Sequence, residues 1–444
     1  MLRAGETIKE SRRRESDIPI YIYKYKRVAP LVTNLDAERM EPEAGGRNSD
    51  GDGTAVVPEM SDAELLAAEL AFSSEPEGTQ QSEGDNYTSS KSSESNQTGR
   101  GTDKASCSGH EQSSIQLPVS GIGSDSQCEG SSFKRRRQDS RIPLEWFDRR
   151  YLSVTDLSQQ AWCEQQVVYG MEIPHIQRLR DEHPVVKTGS SIHLARELEI
   201  QDIVPINIQC QEDSWGVKLL NFLSMIQFLQ AGERVRELPV FGEVEGIFLV
   251  GVIDELCYNS SGELELHELK TRGQPTLPHA AQRKSHHLQV SVYKLLFEAL
   301  IKGQLNKDTI IHHLHLQTER SFSSEVMAYT QMIGLSVNTF GDLLDLIFLN
   351  LMHAEIPTID ILKIEYCYQA DASVIGTEVV CFEEEWVKKE LKYYCSFWKG
   401  QREAKGVDIE EAWKCRTCDF ADICQWRKKK AEEAAEKNQA NRRK

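Results

Sequence analysis

Four cysteines placed far apart constrain the fold of this chain more than any other feature. Cys163 stands long before three further cysteines, which are spaced as Cys415-x2-Cys418-x5-Cys424. Cysteine thiolates are the usual ligands of structural Zn²⁺ and of iron–sulfur clusters. A metal group shared by these four would close a very long loop and would tie both ends of one domain around the segment between them.

The cysteine spacing leaves two kinds of metal group open. Structural Zn²⁺ usually takes paired Cys-x2-Cys knuckles, whereas one distant cysteine before a Cys-x2-Cys-x5-Cys tail suits a [4Fe-4S] cluster. The chain has 11 cysteines, and an odd count without a secretion signal argues for thiols rather than disulfides. The remaining seven are expected to be surface or core thiols: Cys107, Cys128, Cys210, Cys257, Cys367, Cys381 and Cys395.

Composition divides the 444 residues into three parts. Residues 1–140 are rich in Ser, Gly and acidic residues, and such a segment buries too little apolar surface to offset the entropy of ordering. We expect a disordered acidic tail there. Its apolar cluster at 63–72 is either an amphipathic partner-docking run or plain disordered tail. Residues 141–427 are predicted to fold as one domain, and 428–444 form a basic tail.

The net charge of −17 does not exclude a nucleic-acid partner. Residues 1–130 hold 13 Lys and Arg against 23 Asp and Glu, so most of the excess lies in the tail. The basic cluster at 134–137 is a nuclear localisation signal, a phosphate-contacting arm or a solvated charge run. No stretch is apolar enough to cross a bilayer, so we expect a soluble protein of the nucleus with a cytoplasmic pool. Mitochondrial targeting stays open, although Glu6, Glu10 and Glu15 weaken it.

Periodicity and capping predict helices alternating with a run of strands. The first helix is expected to begin at Ser153 and to carry Cys163. Further helices are predicted at 190–200, 221–230, 280–301, 337–351 and 383–400, and strands at 236–241, 244–254, 264–271, 309–317 and 325–330. The turn sequence at 259–262 makes the second and third strands an antiparallel hairpin. This order predicts an α/β fold, a mixed sheet flanked by helices.

The predicted hairpin carries the residues with the clearest chemistry. Asp254 ends a continuous apolar strand, and Glu268 and Lys270 lie two apart, so strand alternation places both on one face. Two convergent carboxylates provide the hard oxygen ligands that Mg²⁺ prefers, and an adjacent ammonium offsets charge on a reacting phosphate. Ordinary salt-bridging residues would give the same short pattern. The apolar strand before Asp254, and Gln289 and Tyr293 one turn apart on the next helix, favour phosphodiester hydrolysis.

Here the chain resembles a known family. Four motifs in order look like those of the RecB/Cas4-like branch of the PD-(D/E)xK nucleases: Gly189-Ser-Ser-Ile-His193, Gly251-Val-Ile-Asp254, Glu268-Leu-Lys270 and Gln289-Val-Ser-Val-Tyr293. With Trp162-Cys163-Glu164 and the C-terminal cysteines, residues 144–427 are similar to eukaryotic exonuclease V. Ile253 replaces the proline of the strict motif, as is usual in the RecB branch.

The resemblance implies a role for each motif residue. Asp254 and Glu268 would bind Mg²⁺ or Mn²⁺, Lys270 would be the catalytic lysine, and Gln289 and Tyr293 would hold it and the phosphate. His193 would contribute to the metal site, and Glu197, one helical turn later, is a weaker candidate. Cys163, Cys415, Cys418 and Cys424 would hold a [4Fe-4S] cluster as a structural staple around the PD-(D/E)xK restriction-endonuclease-like core.

The resemblance also implies a substrate and partners. The expected reaction is exonucleolytic cleavage of single-stranded DNA in DNA repair, by a monomer that cooperates with replication protein A. From the residues, a phosphate-contacting patch is predicted at Arg283, Lys284, His286 and His287. Trp398 and Trp413 either stack on bases or pack in the core.

Two other functions fit the same motifs. A nuclease-fold protein that binds single strands without cutting them would place no demand on Asp254, Glu268 and Lys270, whose presence favours the enzyme. A Cas4-like integration nuclease shares every motif and differs by the long N-terminal tail. No P-loop motif occurs, so the chain carries no nucleotide-driven motor of that type.

Overall fold

The computed structural model describes residues 20–26 and 141–442. The predicted docking run at 63–72 and the basic cluster at 134–137 lie outside the described residues. None of the described helices is both long and apolar enough to cross a membrane.

A mixed sheet of six strands forms the centre of the fold. Its strands are β2 Leu152–Ser153, β4 Val235–Val244, β5 Ile247–Tyr258, β6 Leu264–Arg272, β7 Ile361–Tyr368 and β8 Val374–Val380. Their order in the sheet is β2-β5-β6-β7-β8, and β4 pairs along the other side of β5. The antiparallel pairs are β4–β5, β5–β6 and β7–β8, whereas β2–β5 and β6–β7 are parallel.

Helices cover this sheet, which confirms the predicted mixed sheet flanked by helices. Ser153 caps the first long helix, where its Oγ accepts from the Asp156 N–H at 2.9 Å. The helix predicted at 280–301 has those bounds. The helices are α1 Pro143–Trp146, α2 Val154–Glu172, α3 Pro174–Asp181, α4 Pro184–Ile200, α5 Gln211–Gln230, α6 Ala280–Ile301, α7 Lys307–Leu314, α8 Ser324–Met332, α9 Phe340–His353, α10 Glu384–Trp398 and α11 Gln425–Arg442, with a 3₁₀ segment at Ile409–Thr417.

A second, two-stranded sheet joins the start of the chain to the domain. β1 (Ile20–Tyr25) pairs antiparallel with β3 (Gln201–Ile206). The side chain of Asn221 on α5 accepts from the Tyr23 N–H at 3.2 Å and donates to the Tyr21 carbonyl at 3.1 Å. β1 lies inside the range 1–140, for which disorder was predicted, so the structure differs from that prediction at these residues.

Two predicted strands are largely helical, and five strands were not predicted. Residues 309–314 of the strand predicted at 309–317 lie in α7, and the strand predicted at 325–330 lies within α8. The buried pairs Ile310–Leu314 and Val326–Thr330 recur at the four-residue helical spacing. The strands that were not predicted are β1, β2, β3, β7 and β8. In β7 buried and half-buried positions alternate, the period of a strand with one covered face.

Candidate active site

The β5–β6 hairpin brings the two predicted carboxylates together. Asp254 on β5 is 8% exposed and Glu268 on β6 is 2% exposed. The Leu269 N–H donates to Oδ2 of Asp254 at 2.7 Å, so the backbone of β6 orients the carboxylate of β5. Burying a carboxylate is costly unless nearby charges or hydrogen bonds offset it, so the pair is a candidate functional site.

A continuous hydrogen-bonded chain runs from Glu268 into α6. Nζ of Lys270 lies 2.6 Å from Oε1 of Glu268 and donates to Oε1 of Gln289 at 2.8 Å. Nε2 of Gln289 donates to the Tyr293 hydroxyl at 2.9 Å. The structure therefore brings Glu268, Lys270, Gln289 and Tyr293 together, as the sequence predicted, next to Asp254.

Gly251 leaves room for the Tyr293 ring. A Cβ atom at this position would lie 2.5 Å from Cε1 of Tyr293 and 2.9 Å from Cγ2 of Val154. Both distances are shorter than van der Waals contact, so only glycine allows α2 and α6 to approach β5 here.

His193 on α4 faces the carboxylates, as predicted. Its Nδ1 lies 3.7 Å from Oδ2 of Asp254. Glu197, one turn later on the same helix, accepts a hydrogen bond from Nε2 of Gln201 at 3.1 Å and also lines the cavity beside the hairpin. The geometry brings His193 to the predicted metal ligands and leaves Glu197 at the wall of the same space.

Glu237 is a candidate ligand that sequence reasoning missed. It is 5% exposed, and its carboxylate oxygen, a ring nitrogen of His193 and an oxygen of Asp254 all lie within 4.8 Å of one another. In the β4–β5 register, Arg236 pairs with Glu255 and Leu238 with Ile253, so Glu237 stands opposite Asp254. Its φ of 56° lies in the left-handed region, at a cost of about 1–3 kcal/mol for a residue other than glycine. The sequence signal that could have identified Glu237 is a glutamate inside a strand that is predicted from apolar residues.

A large cavity adjoins the hairpin and reaches the cysteine-bearing end of the chain. Its volume is about 790 Å³, and Lys270 and Gln289 line one side while Trp413 and Cys418 line another. Trp413 is 40% exposed, which leaves the base-stacking interpretation open for it. Trp398 is fully buried and donates to Oε1 of Gln160 at 3.0 Å, so it packs in the core.

Most of the predicted basic patch is paired with carboxylates. Arg283 and His287 contact Glu378 at 3.6 and 2.9 Å. Lys284 contacts Glu390 at 3.1 Å. His286 does line the large cavity, but burial and then the nearby Lys270 lower its pKa to about 3, so it is neutral near pH 7. His286 therefore offers a neutral imidazole to the cavity, and Glu378 and Glu390 offset charge on Arg283 and Lys284. The phosphate-contacting role of this patch stays a prediction.

The segment that carries the three C-terminal cysteines packs against α2, which carries Cys163. The ring centroids of Trp162 and Trp413 lie 5.6 Å apart. Cys163 lies at an interruption of α2, with extended dihedrals of φ −163° and ψ 107°. Burial, with charge repulsion from Cys418, Cys415 and Cys424, raises the pKa of Cys163 to about 11. Among the described residues, two groups of three possible metal donors have ligand atoms that all lie within 4.8 Å of one another. Neither group includes any of these four cysteines.

A buried ion pair joins the two cysteine-bearing segments. Glu164, directly after Cys163, contacts the guanidinium of Arg402 in a two-pronged arrangement at 2.5 and 2.6 Å. The same carboxylate accepts from the Lys405 N–H at 2.5 Å. Because Arg402 and Lys405 begin the loop that leads to Cys415, this contact aligns that loop with α2.

Comparison with known proteins assigns the chain to a family. The family model Exo5, described as exonuclease V, a 5′ deoxyribonuclease, matches residues 143–268, 259–344 and 333–427. The chain is 48% identical over 299 residues to Exonuclease V of Danio rerio, covering 67% of this chain and 76% of that protein. It is 26% identical over 149 residues to the uncharacterized protein ORF95 of Ostreid herpesvirus 1, covering 29% of this chain and 48% of that protein.

Similarity to solved structures is more distant. The crystal structure of SSO0001 superposes with a TM-score of 0.32 and 14% identity, over 63% of this chain and 88% of that one. The ranges matched by the family model extend across the hairpin, α6 and the C-terminal cysteines. On this basis the chain belongs to the exonuclease V family and is a DNA-cleaving exonuclease, an exodeoxyribonuclease.

Proposed function

We propose that this exonuclease degrades single-stranded DNA with the help of Mg²⁺, and that Cys163 and the three C-terminal cysteines hold a [4Fe-4S] cluster. The hydrogen-bonded chain from Glu268 through Lys270 and Gln289 to Tyr293 carries the proposal. It lies beside Asp254 at the wall of a cavity that opens toward the cysteines.

The donor set beside the hairpin suits Mg²⁺. Asp254 and Glu237 offer hard carboxylate oxygens and His193 adds one nitrogen, all within 4.8 Å of one another, and Glu268 lines the same cavity. When bound, Mg²⁺ supplies positive charge that offsets the negative charge developing on a scissile phosphate. Mn²⁺ accepts the same oxygen and nitrogen ligands and should substitute for it.

The chain itself supplies orientation and further charge. Lys270 holds its ammonium beside the carboxylates, where it stabilises negative charge that develops on the phosphate during hydrolysis. Gln289 fixes the position of that ammonium, and the buried Tyr293 fixes Gln289. The resulting geometry needs no rearrangement when the strand arrives.

The cysteine spacing favours a cluster over a single zinc ion. Structural Zn²⁺ usually takes paired Cys-x2-Cys knuckles. Here one distant cysteine precedes a Cys-x2-Cys-x5-Cys tail, a spacing that suits a [4Fe-4S] cluster.

The cavity supports a single strand as the substrate. Its volume of about 790 Å³ falls in the range of sites for small organic ligands, the scale of a few nucleotides rather than of a duplex. Trp413 on its wall is 40% exposed and offers a face on which a base can stack.

The proposal is tested with full-length protein purified anaerobically. We expect about four irons and four sulfides per chain. With Mg²⁺, an end-labelled single strand should be degraded, whereas the same strand in a blunt duplex or in EDTA should persist. Equal degradation of the duplex would refute the single-strand preference. Full activity in EDTA would refute the metal requirement, and zinc without iron would refute the cluster.

Glu237→Gln should weaken metal binding, because it removes one charged ligand and keeps the size of the side chain. We expect Mn²⁺ affinity to fall about 10-fold or more, the scale seen when a metal site loses a supporting group. The measurement is electron paramagnetic resonance of free Mn²⁺ during titration. Glu243→Gln, on the same strand and paired with His313, is the control. Unchanged Mn²⁺ affinity in Glu237→Gln would exclude Glu237 as a ligand.

Gly251→Ala should impair cleavage from a distance. The new methyl group forces Tyr293 away, which releases Gln289 and Lys270, and a misplacement of about 1 Å can cost up to about 100-fold in rate. Single-turnover cleavage and thermal unfolding are measured together. Gly273→Ala is the control, because the nearest atom to its Cβ is 3.7 Å away. An active Gly251→Ala would show that Tyr293 does not position the lysine.

We also propose a nuclear role in DNA repair with replication protein A as a partner. Family membership supports a DNA substrate. Single-stranded DNA that is exposed during repair would supply that substrate. Co-purification of the full chain with replication protein A, compared with a chain lacking residues 63–72, tests the partner. Equal recovery would exclude that segment as the docking run.

A further inference from the structure

A second cluster of metal-ligating side chains lies on the other face of the active hairpin. Cys257 on β5 pairs across the strands with Glu265 on β6, and His267 follows two residues later. One ligand atom from each lies within 4.8 Å of the other two. Strand alternation turns Cys257 and His267 away from the face that carries Asp254 and Glu268.

The chemistry of these donors differs from that of the catalytic carboxylates. A thiol, an imidazole and one carboxylate form the ligand set that a borderline-soft ion such as Zn²⁺ accepts, with a fourth position left for water. Mg²⁺ prefers oxygen ligands. We propose that Cys257, Glu265 and His267 form a Zn²⁺-binding site separate from the metal site at Asp254.

Glu265 provides the charge that such a site needs. It is buried, and its carboxylate accepts hydrogen bonds from Lys363 at 2.5 Å and from Asn259 at 2.9 Å. Nε2 of His267 lies 2.9 Å from Oε2 of Glu265, so the two atoms are close enough to share one ion. The carboxylate therefore already faces the imidazole.

Lys363 on β7 places a positive charge beside Glu265, where it competes with a bound metal ion. Its Nζ lies 2.5 Å from the same Oε2 of Glu265, and Lys363 pairs in register with His267. An ion at the three donors shares this oxygen with an ammonium, which lowers its affinity by charge repulsion. Removing the ammonium should therefore strengthen Zn²⁺ binding.

The proposed site adjoins the cavity of the catalytic carboxylates. Although strand alternation assigns His267 to the opposite face, this residue lines the smaller cavity, of about 260 Å³, together with Asp254 and Glu268. An ion that fixes His267 and Cys257 bridges β5 and β6 at the point where both catalytic carboxylates project to the other face.

Zn²⁺ binding to the full chain with its cluster tests the site. Equilibrium dialysis under anaerobic conditions gives bound zinc per chain, and iron is counted separately. We expect one zinc that Asp254→Asn retains and that binds about 10-fold or more weakly in Cys257→Ser and His267→Gln. Cys381→Ser, at an exposed thiol, should bind as wild type does.

Lys363→Met makes the test independent of folding defects. It should bind Zn²⁺ more tightly than wild type, a gain that a misfolded variant does not produce. Zn²⁺ should also protect Cys257, and not Cys381, from alkylation. Zinc lost in Asp254→Asn but kept in Cys257→Ser would place the ion at the catalytic carboxylates and overturn the proposal. Unchanged or weaker binding in Lys363→Met would overturn it as well.

Discussion

Lys270→Met should lower the rate of DNA cleavage by about 100- to 1000-fold, the effect of removing one preorganised charge from a reaction centre. Methionine keeps the length and most of the volume of the side chain. Asp254 keeps its hydrogen bond from the Leu269 N–H, and Gln289 keeps its hydrogen bond to the Tyr293 hydroxyl. DNA binding and iron content should therefore remain near wild type, and single-turnover cleavage of a labelled strand measures the loss.

Lys399→Met is the matched control for this prediction. The Lys399 side chain is 27% exposed, against 24% for Lys270, and it bonds the Glu245 carbonyl at 2.8 Å, away from the hairpin. It should cleave DNA at the wild-type rate. Retention of most activity in Lys270→Met would mean that the ammonium does not act in the chemical step.

Arg402→Met should destabilise the fold by about 3–5 kcal/mol, because it leaves the buried Glu164 carboxylate without its charged partner. Arg402 makes two hydrogen bonds to this carboxylate and stacks at 4.0 Å on the ring of Tyr393. Since the pair joins Cys163 to the loop before Cys415, iron should be lost along with stability. Chemical unfolding and iron content per chain measure the two effects.

Arg427→Met is the control for the ion pair. Arg427 also follows closely on Cys424, but its contact with Asp422 is 4.0 Å long and exposed, so little stability should depend on it. Glu164→Gln combined with Arg402→Met should be less destabilised than the sum of the single variants, since no buried charge is left unpaired. Strict additivity would contradict the coupling of the two residues.

The grouping of the candidate catalytic residues could be predicted because their pattern is local. Glu268 and Lys270 share a face through strand alternation, and Gln289 and Tyr293 share one through the helical turn. Glu237 carries no such pattern. Its position depends on a left-handed residue in β4 opposite Asp254, which only the pairing of β4 with β5 creates.

The sequence by itself determined the elements whose residues interact over a few positions: the hairpin with its turn, the cap at Ser153 and the bounds of α6. Only the tertiary structure decided which distant groups meet. It placed β7 parallel to β6, buried Trp398 while leaving Trp413 in the cavity, and paired Arg283 with Glu378. The reason is that turns and caps are set by neighbouring residues, whereas strand order, burial and ion pairs depend on contacts between segments far apart in the chain.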